Sequence, residues 1–231
     1  MSTYELKKLI FTNETGSLPY RLWIPSHNTG EKLPVLFFLH GAGERGADNE
    51  LQTKVGICSH YFSQEIAHKY PAIFVAPQCP DGVSWDNKLG WLCDYDDVNV
   101  ESKPMKLAYE LLCEILKRED ADRTRVYVTG LSMGGYGTWD MIVRHQGVFA
   151  AAVPVCGGAF PEDAEKIKDV PIWAFHGDSD SCVPVENTRN IVDALRAIGS
   201  DVKYTEYPGC DHNCWDNAYS DMAMYEWLFS K

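Results

Sequence analysis

The chain is short of positive charge. Its 231 residues carry 21 lysines and arginines against 33 aspartates and glutamates, a formal net charge of −12. Nothing in that balance can neutralise a row of phosphates, so nucleic acid is excluded as a partner. Neutral or cationic ligands suit the field better. No apolar run reaches the roughly 18 residues of a membrane-spanning helix, and no membrane partner is expected. The first residues, Met1 to Lys8, lack the apolar core and small-residue cleavage site of a signal peptide. A cytoplasmic location is therefore expected, with secretion as the alternative if a leader has been removed. Pro/Ser-rich linkers, charge blocks, internal repeats and low-complexity tracts are also missing, so residues 1–231 read as a single domain.

Cysteine is not scarce: Cys58, Cys79, Cys93, Cys113, Cys156, Cys182, Cys210 and Cys214. The domain is large enough to need no staples, and Cys113 sits inside an apolar helical run. Reduced thiols are the expected state. Cys210-Asp211-His212-Asn213-Cys214 does not have a usual zinc spacing and has no second ligand pair. No metal and no cofactor are expected.

The hydrophobic pattern alternates between two periods. Leu6–Thr12 and Leu18–Ile24 flank a polar turn and predict a hairpin. Pro34–His40, Ala72–Ala76, Arg125–Thr129, Ala150–Val155, Pro171–Phe175 and Val202–Tyr207 read as strands, several apolar on both faces. Between them lie helical stretches around His60–Lys69, Lys103–Arg118, Gly135–His145, Glu162–Lys168, Val185–Ile198 and Tyr219–Phe229. Strands and helices that alternate in this way predict an α/β fold, a mostly parallel sheet covered by helices on both faces. Sites in such sheets lie just beyond the carboxyl ends of the strands.

Those strand ends carry the chemistry. Gly130-Leu131-Ser132-Met133-Gly134 stands between a strand and a helix, the setting of a nucleophile elbow, whose tight turn lifts the serine hydroxyl off the sheet. His40-Gly41-Ala42-Gly43 ends an earlier strand. Asp178 and Asp180 follow a later one. Of the seven histidines, only His212 lies beyond Asp180, in the loop after the last strand. The order Ser, Asp, His is that of an α/β-hydrolase triad. Spacing alone leaves the acid open between Asp178, which also suits a turn, and Asp180.

With these motifs the chain resembles the α/β-hydrolase esterases, in particular the bacterial carboxylesterase/phospholipase-like branch that includes feruloyl and acetylxylan esterases. The matching stretches are Phe38–Gly46, Ala76–Pro80, Gly130–Gly135, Pro154–Gly158 and His176–Pro184. The pair of cysteines around His212 departs from the family, which more often has glycine before the histidine. The resemblance implies the α/β-hydrolase fold and a serine carboxylesterase. It puts the acid on Asp180 and the oxyanion hole on the Ala42 and Met133 amides. The alternatives are a prolyl-oligopeptidase-like peptidase and a non-catalytic binding module.

The interval from Val155 to Glu162 is too short for a cap domain. An open cleft is expected, with short-chain or aromatic acyl esters as substrates, on small molecules or linked to polysaccharide. Trp85, Trp91 and Trp215 are the candidate substrate-binding residues, all three in the alternative as core residues. His40 and His176, each before a glycine at a strand end, are expected to be structural.

Overall fold

The computed structural model describes residues 4–26, 30–62, 64–87 and 100–231. Trp91 and Cys93 lie outside them.

An eight-stranded sheet organises the chain. The hairpin is β1 (Lys7–Asn13) and β2 (Gly16–Trp23). The Asn13 side chain accepts the Thr15 and Gly16 amides and closes its turn. β3 (Leu33–Leu39), β4 (Ile73–Pro77) and β6 (Ala151–Val155) are buried at every position, and β5 (Ala121–Leu131) at its last six. β7 (Trp173–Gly177) and the edge strand β8 (Lys203–Tyr207) complete the sheet. The order is β1-β2-β4-β3-β5-β6-β7-β8, antiparallel through β2·β4 and parallel thereafter.

Period-two alternation sends the two faces of each central strand into separate cores. Val35, Phe37 and Leu39 of β3 join α3 (Lys103–Ile115), α4 (Met133–Arg144) and α6 (Glu186–Ala197), through Leu111, Trp139, Ile191 and Leu195 among others. Leu36 and Phe38 face α1 (Ile57–Tyr61), α7 (Trp215–Ser220) and α8 (Met222–Phe229), through Ile57, Tyr61, Tyr219 and Leu228. Each such fully buried side chain contributes roughly 1.5–3 kcal/mol of transfer free energy. This two-faced sheet is the α/β-hydrolase fold. No helix among the described residues is long and apolar enough to cross a membrane.

The structure divides two stretches that sequence periodicity reads as single helices. The segment around His60–Lys69 is α1 and then α2 (Gln64–Lys69). The closing helix is α7 and α8, separated at Asp221, whose carboxylate accepts the Ala223 amide and caps α8. Ala218 and Tyr219 before the cap and Met222 and Ala223 after it are apolar and hide the break. Between β6 and β7 lie a 3₁₀ turn (Pro161–Asp163) and α5 (Ala164–Ile167), which packs against α6. No cap domain is present among the described residues.

Trp85 corrects the expectation that it lines the cleft. It is fully buried, its indole N–H donates to the His40 carbonyl (3.0 Å), and its ring edge meets the His40 ring at 5.3 Å. The buried indole found a backbone acceptor, as buried tryptophans usually do. It also packs on α4, where a Cβ added at Gly137 would come within 2.7 Å of the Trp85 Cβ. Trp85→Ala is accordingly expected to cost about 3–5 kcal/mol, a fall in Tm on the order of 10 °C. Thermal unfolding checks the first effect. A panel of aromatic and acetyl esters checks that the relative preference between them stays unchanged. An unchanged Tm with a shifted preference would return Trp85 to the cleft.

Candidate active site

β5 delivers Ser132 at its carboxyl end, and α4 starts at the next residue. Ser132 has φ 54° and ψ −120°, a left-handed conformation unusual for any residue but glycine. Strain of this kind persists only when the surroundings enforce it. Here the Ser132 amide donates to the Val155 carbonyl (3.0 Å), and the helix begins under the side chain. The flanking glycines are required by contact. A Cβ at Gly134 would sit 1.9 Å from the Leu39 carbonyl oxygen, and one at Gly130 2.3 Å from that of Gly134.

His212, in the loop after β8, reaches this serine: its Nε2 is 2.9 Å from Ser132 Oγ. Its Nδ1 is 2.8 Å from Asp180 Oδ2. Asp180 has a fully buried side chain, whereas that of His212 is 18% exposed. Burial works against the Asp180 charge. Hydrogen bonds from His176, His212 and the Val183 and Cys182 amides outweigh it and hold the carboxyl far below the ordinary aspartate range. A carboxylate fixed in this way orients Nδ1–H toward itself and leaves Nε2 to accept the serine proton.

Asp178 takes no part in the chain of contacts. It is exposed and accepts the Ser179 hydroxyl and the Gly209 amide, a turn-forming role. Asp211 accepts the Ser181 amide and hydroxyl together with the His212 amide, which ties the acid loop to the histidine loop.

Two further residues touch the triad: His176, which the sequence marked as structural, and Cys156, to which it gave no role. His176, fully buried, places Nε2 3.2 Å from Asp180 Oδ2 and Nδ1 2.7 Å from Thr188 Oγ1. Its signal was the His-Gly pair four residues before the acid. Cys156, at φ 41°, accepts the Ser132 amide at 3.3 Å, and burial pushes its thiol pKa well up. Ligand-type atoms of Cys156, Asp180 and His212 lie within 4.8 Å of one another. Cys210 and Cys214, which flank His212 in sequence, are not in that group. Trp215 stands edge-on to His212 at 5.3 Å between ring centroids and is partly exposed, the one described tryptophan of the three that borders the site.

The Ala42 and Met133 amides have no hydrogen-bond partner among the described residues. Each opens a helix, the single 3₁₀ turn Ala42–Glu44 and α4 respectively, where backbone donors are left over by geometry. They stand at the adjacent ends of β3 and β5, on the side of the sheet where Ser132 is raised.

A serine, a histidine and a buried aspartate in hydrogen-bonded series can move a proton, and two spare amides can receive an oxyanion. Residues 99–223, just over half of the chain, match the model of the dienelactone hydrolase family. The chain belongs to that family. Ser132, Asp180 and His212 all fall inside the matched residues, in agreement with the α/β-hydrolase resemblance read from the sequence, while Ala42 precedes them. Among solved structures of the fold, a thermostable esterase is 38% identical with a TM-score of 0.89, over 97% of this chain and 62% of that one. Poly(3-hydroxyalkanoate) depolymerase C of Paucimonas lemoignei is 26% identical over 69% of this chain and 36% of its own length. The chain thus spans less than two thirds of either protein. The feruloyl esterase module from Clostridium thermocellum, complexed with sinapinate, shares the fold at a TM-score of 0.68 and 15% identity, over 97% of this chain and 87% of that one.

Proposed function

We propose that this member of the family is a serine carboxylesterase with Ser132 as nucleophile, His212 as base and Asp180 as acid. The observation that carries the reading is the series Ser132 Oγ–His212 Nε2 (2.9 Å) and His212 Nδ1–Asp180 Oδ2 (2.8 Å). A serine hydroxyl is a weak nucleophile at neutral pH, and His212 takes its proton as Oγ attacks the ester carbonyl. The tetrahedral oxyanion is received by the Ala42 and Met133 amides, each typically worth about 3–4 kcal/mol of the barrier. Imidazolium at His212, stabilised by Asp180, then protonates the departing alcohol. Water, deprotonated by His212, resolves the acyl-enzyme by the same steps in reverse. The thermostable esterase and the poly(3-hydroxyalkanoate) depolymerase both support an ester as substrate.

The substrates are short-chain or aromatic acyl esters, and the open side of the site accommodates bulky alcohols, polysaccharide-linked ones included. Support comes from the short β6–β7 connection, with α5 set against α6. Trp85 no longer supports an aromatic wall, which leaves Trp215 beside His212 as the described aromatic surface. A long acyl chain needs a continuous apolar wall, and each methylene left in water forgoes about 0.8 kcal/mol, roughly a fourfold loss in binding. Chromogenic acetyl, butyryl, octanoyl and feruloyl esters test this. The expected kcat/KM is highest for acetyl to butyryl or for feruloyl, and falls beyond about eight carbons for that same reason. A preference for long acyl chains would contradict the open-cleft reading.

A further inference from the structure

His176 is fully buried at the end of β7, and its contacts fix where its protons sit. Nε2 lies 3.1 Å from the Val183 carbonyl, which can only accept, so Nε2 carries a proton. Nδ1 lies 2.7 Å from Thr188 Oγ1 on α6. The Thr188 hydroxyl in turn donates to the Gly157 carbonyl at 2.7 Å, and no other donor among the described residues reaches that carbonyl. A hydroxyl has one hydrogen. Turned toward Nδ1, it would leave two oxygens facing each other at 2.7 Å with no hydrogen between them. Placed on Gly157, it obliges Nδ1 to donate. Both ring nitrogens then carry protons, and the ring is a cation. Its counter-charge is Asp180 Oδ2, 3.2 Å from Nε2, the same oxygen that receives His212 Nδ1 at 2.8 Å.

We infer that His176 is a positioning residue that acts by charge: a buried imidazolium beside Asp180 that offsets part of the acid's pull on His212 and keeps His212 unprotonated, able to act as a base. The other charges on this face of the sheet are paired among themselves. Glu206 of β8 stands in register with His176, and Arg189 of α6 binds its carboxylate at 2.7 and 2.8 Å, with the Tyr204 hydroxyl on it at 2.7 Å. Glu186 lies 3.2 Å from the same guanidinium. From β6 and α4, the Cys156 thiol and the Tyr136 phenol stand close enough to feel the Asp180 charge. Burial pushes both up, the phenol to about 12, so both are neutral. Asp211, beside His212, is an exposed carboxylate already engaged by Ser181 and the His212 amide. His176 is thus the one cation in contact with Asp180 before His212 takes a proton. The inference rests on the esterase reading above for its effect on rate, while the charge on the ring is measured without turnover.

Nitrogen NMR of the wild-type protein labelled at histidine reads that charge, with the His176 ring assigned by its through-space contacts to Thr188 and Val183. At a pH where a free histidine is neutral, both ring nitrogens of His176 should carry protons. A ring with one bare nitrogen would overturn the inference. Kinetics read the consequence. His176→Gln removes the charge, and Asp180 then draws a proton onto His212 more strongly. The acidic limb of kcat/KM on a short-chain ester, which reports the base of the free enzyme, should move up by about one pH unit. His176→Ala should move it in the same direction. A merely structural role would lower the plateau rate and leave the limb where wild type has it, and that result too would overturn the inference. If neither variant folds, the wild-type spectrum decides alone. No turnover of any ester by wild type sinks the esterase reading and this role with it, whereas turnover with a neutral His176 ring or an unmoved limb sinks this inference alone.

Discussion

Ser132→Ala should lower kcat on a short-chain ester by about 10⁴-fold or more while the fold stays intact. The change removes one oxygen from a residue that is 8% exposed. It leaves in place the Ser132 amide bond to Val155, which holds the elbow. The left-handed φ of Ser132 is already tolerated by its surroundings, and alanine adds no atom to them. Circular dichroism and thermal unfolding should therefore match wild type. The residual rate comes from the Ala42 and Met133 amides and from binding, which still act on an ester attacked by water. A variant that keeps a tenth of wild-type kcat would show that another group supplies the nucleophile.

Asp180→Asn should cost nearly as much. The carboxylate receives His212 Nδ1 and His176 Nε2 on the same oxygen, with the Cys182 and Val183 amides on the other. An asparagine can turn its NH₂ toward His212 and stabilise the tautomer whose Nε2 carries the proton, which cannot accept one from Ser132. In the serine-protease case the corresponding change lowers kcat by about 10⁴. Asp178→Asn should cost less than tenfold, because Asp178 bonds only the Gly209 amide and the Ser179 hydroxyl at the surface. Steady-state kinetics of the two variants side by side decide between the aspartates. Equal losses, or the reverse order, would move the acid to Asp178.

The contrast between those two aspartates shows where sequence reasoning stops. The elbow around Ser132 is local: strand, glycine, serine, glycine and helix are contiguous, and the structure places them as read. His212 was reachable by elimination, because it is the last histidine and follows the last strand. Asp178 and Asp180 stand two residues apart in one loop, and only the path of the loop in space separates an exposed turn residue from a buried one. Trp85 was ambiguous for a similar reason. A tryptophan in a polar loop fits a cleft wall as well as a core, and the decision lies with the His40 carbonyl 45 residues away. Cys156 lies in a stretch that matches the family, but nothing local to it pointed to Ser132, since their contact spans 24 residues. The break between α7 and α8 was masked by apolar residues on both sides of Asp221. The mostly parallel sheet and the burial of its central strands followed from composition and period alone, because a strand apolar on both faces has few other places to go; the order of the strands did not.

The central claim is that Ser132 is activated by His212 within this chain, and covalent labelling tests it most directly. The protein is treated with a fluorophosphonate, which reacts with a serine made nucleophilic by a neighbouring base, and the product is digested and sequenced by mass spectrometry. A single adduct on Ser132, absent from Ser132→Ala and strongly slowed in His212→Ala, is the expected result. No adduct on the wild-type protein, or an adduct that persists in Ser132→Ala, would contradict the account.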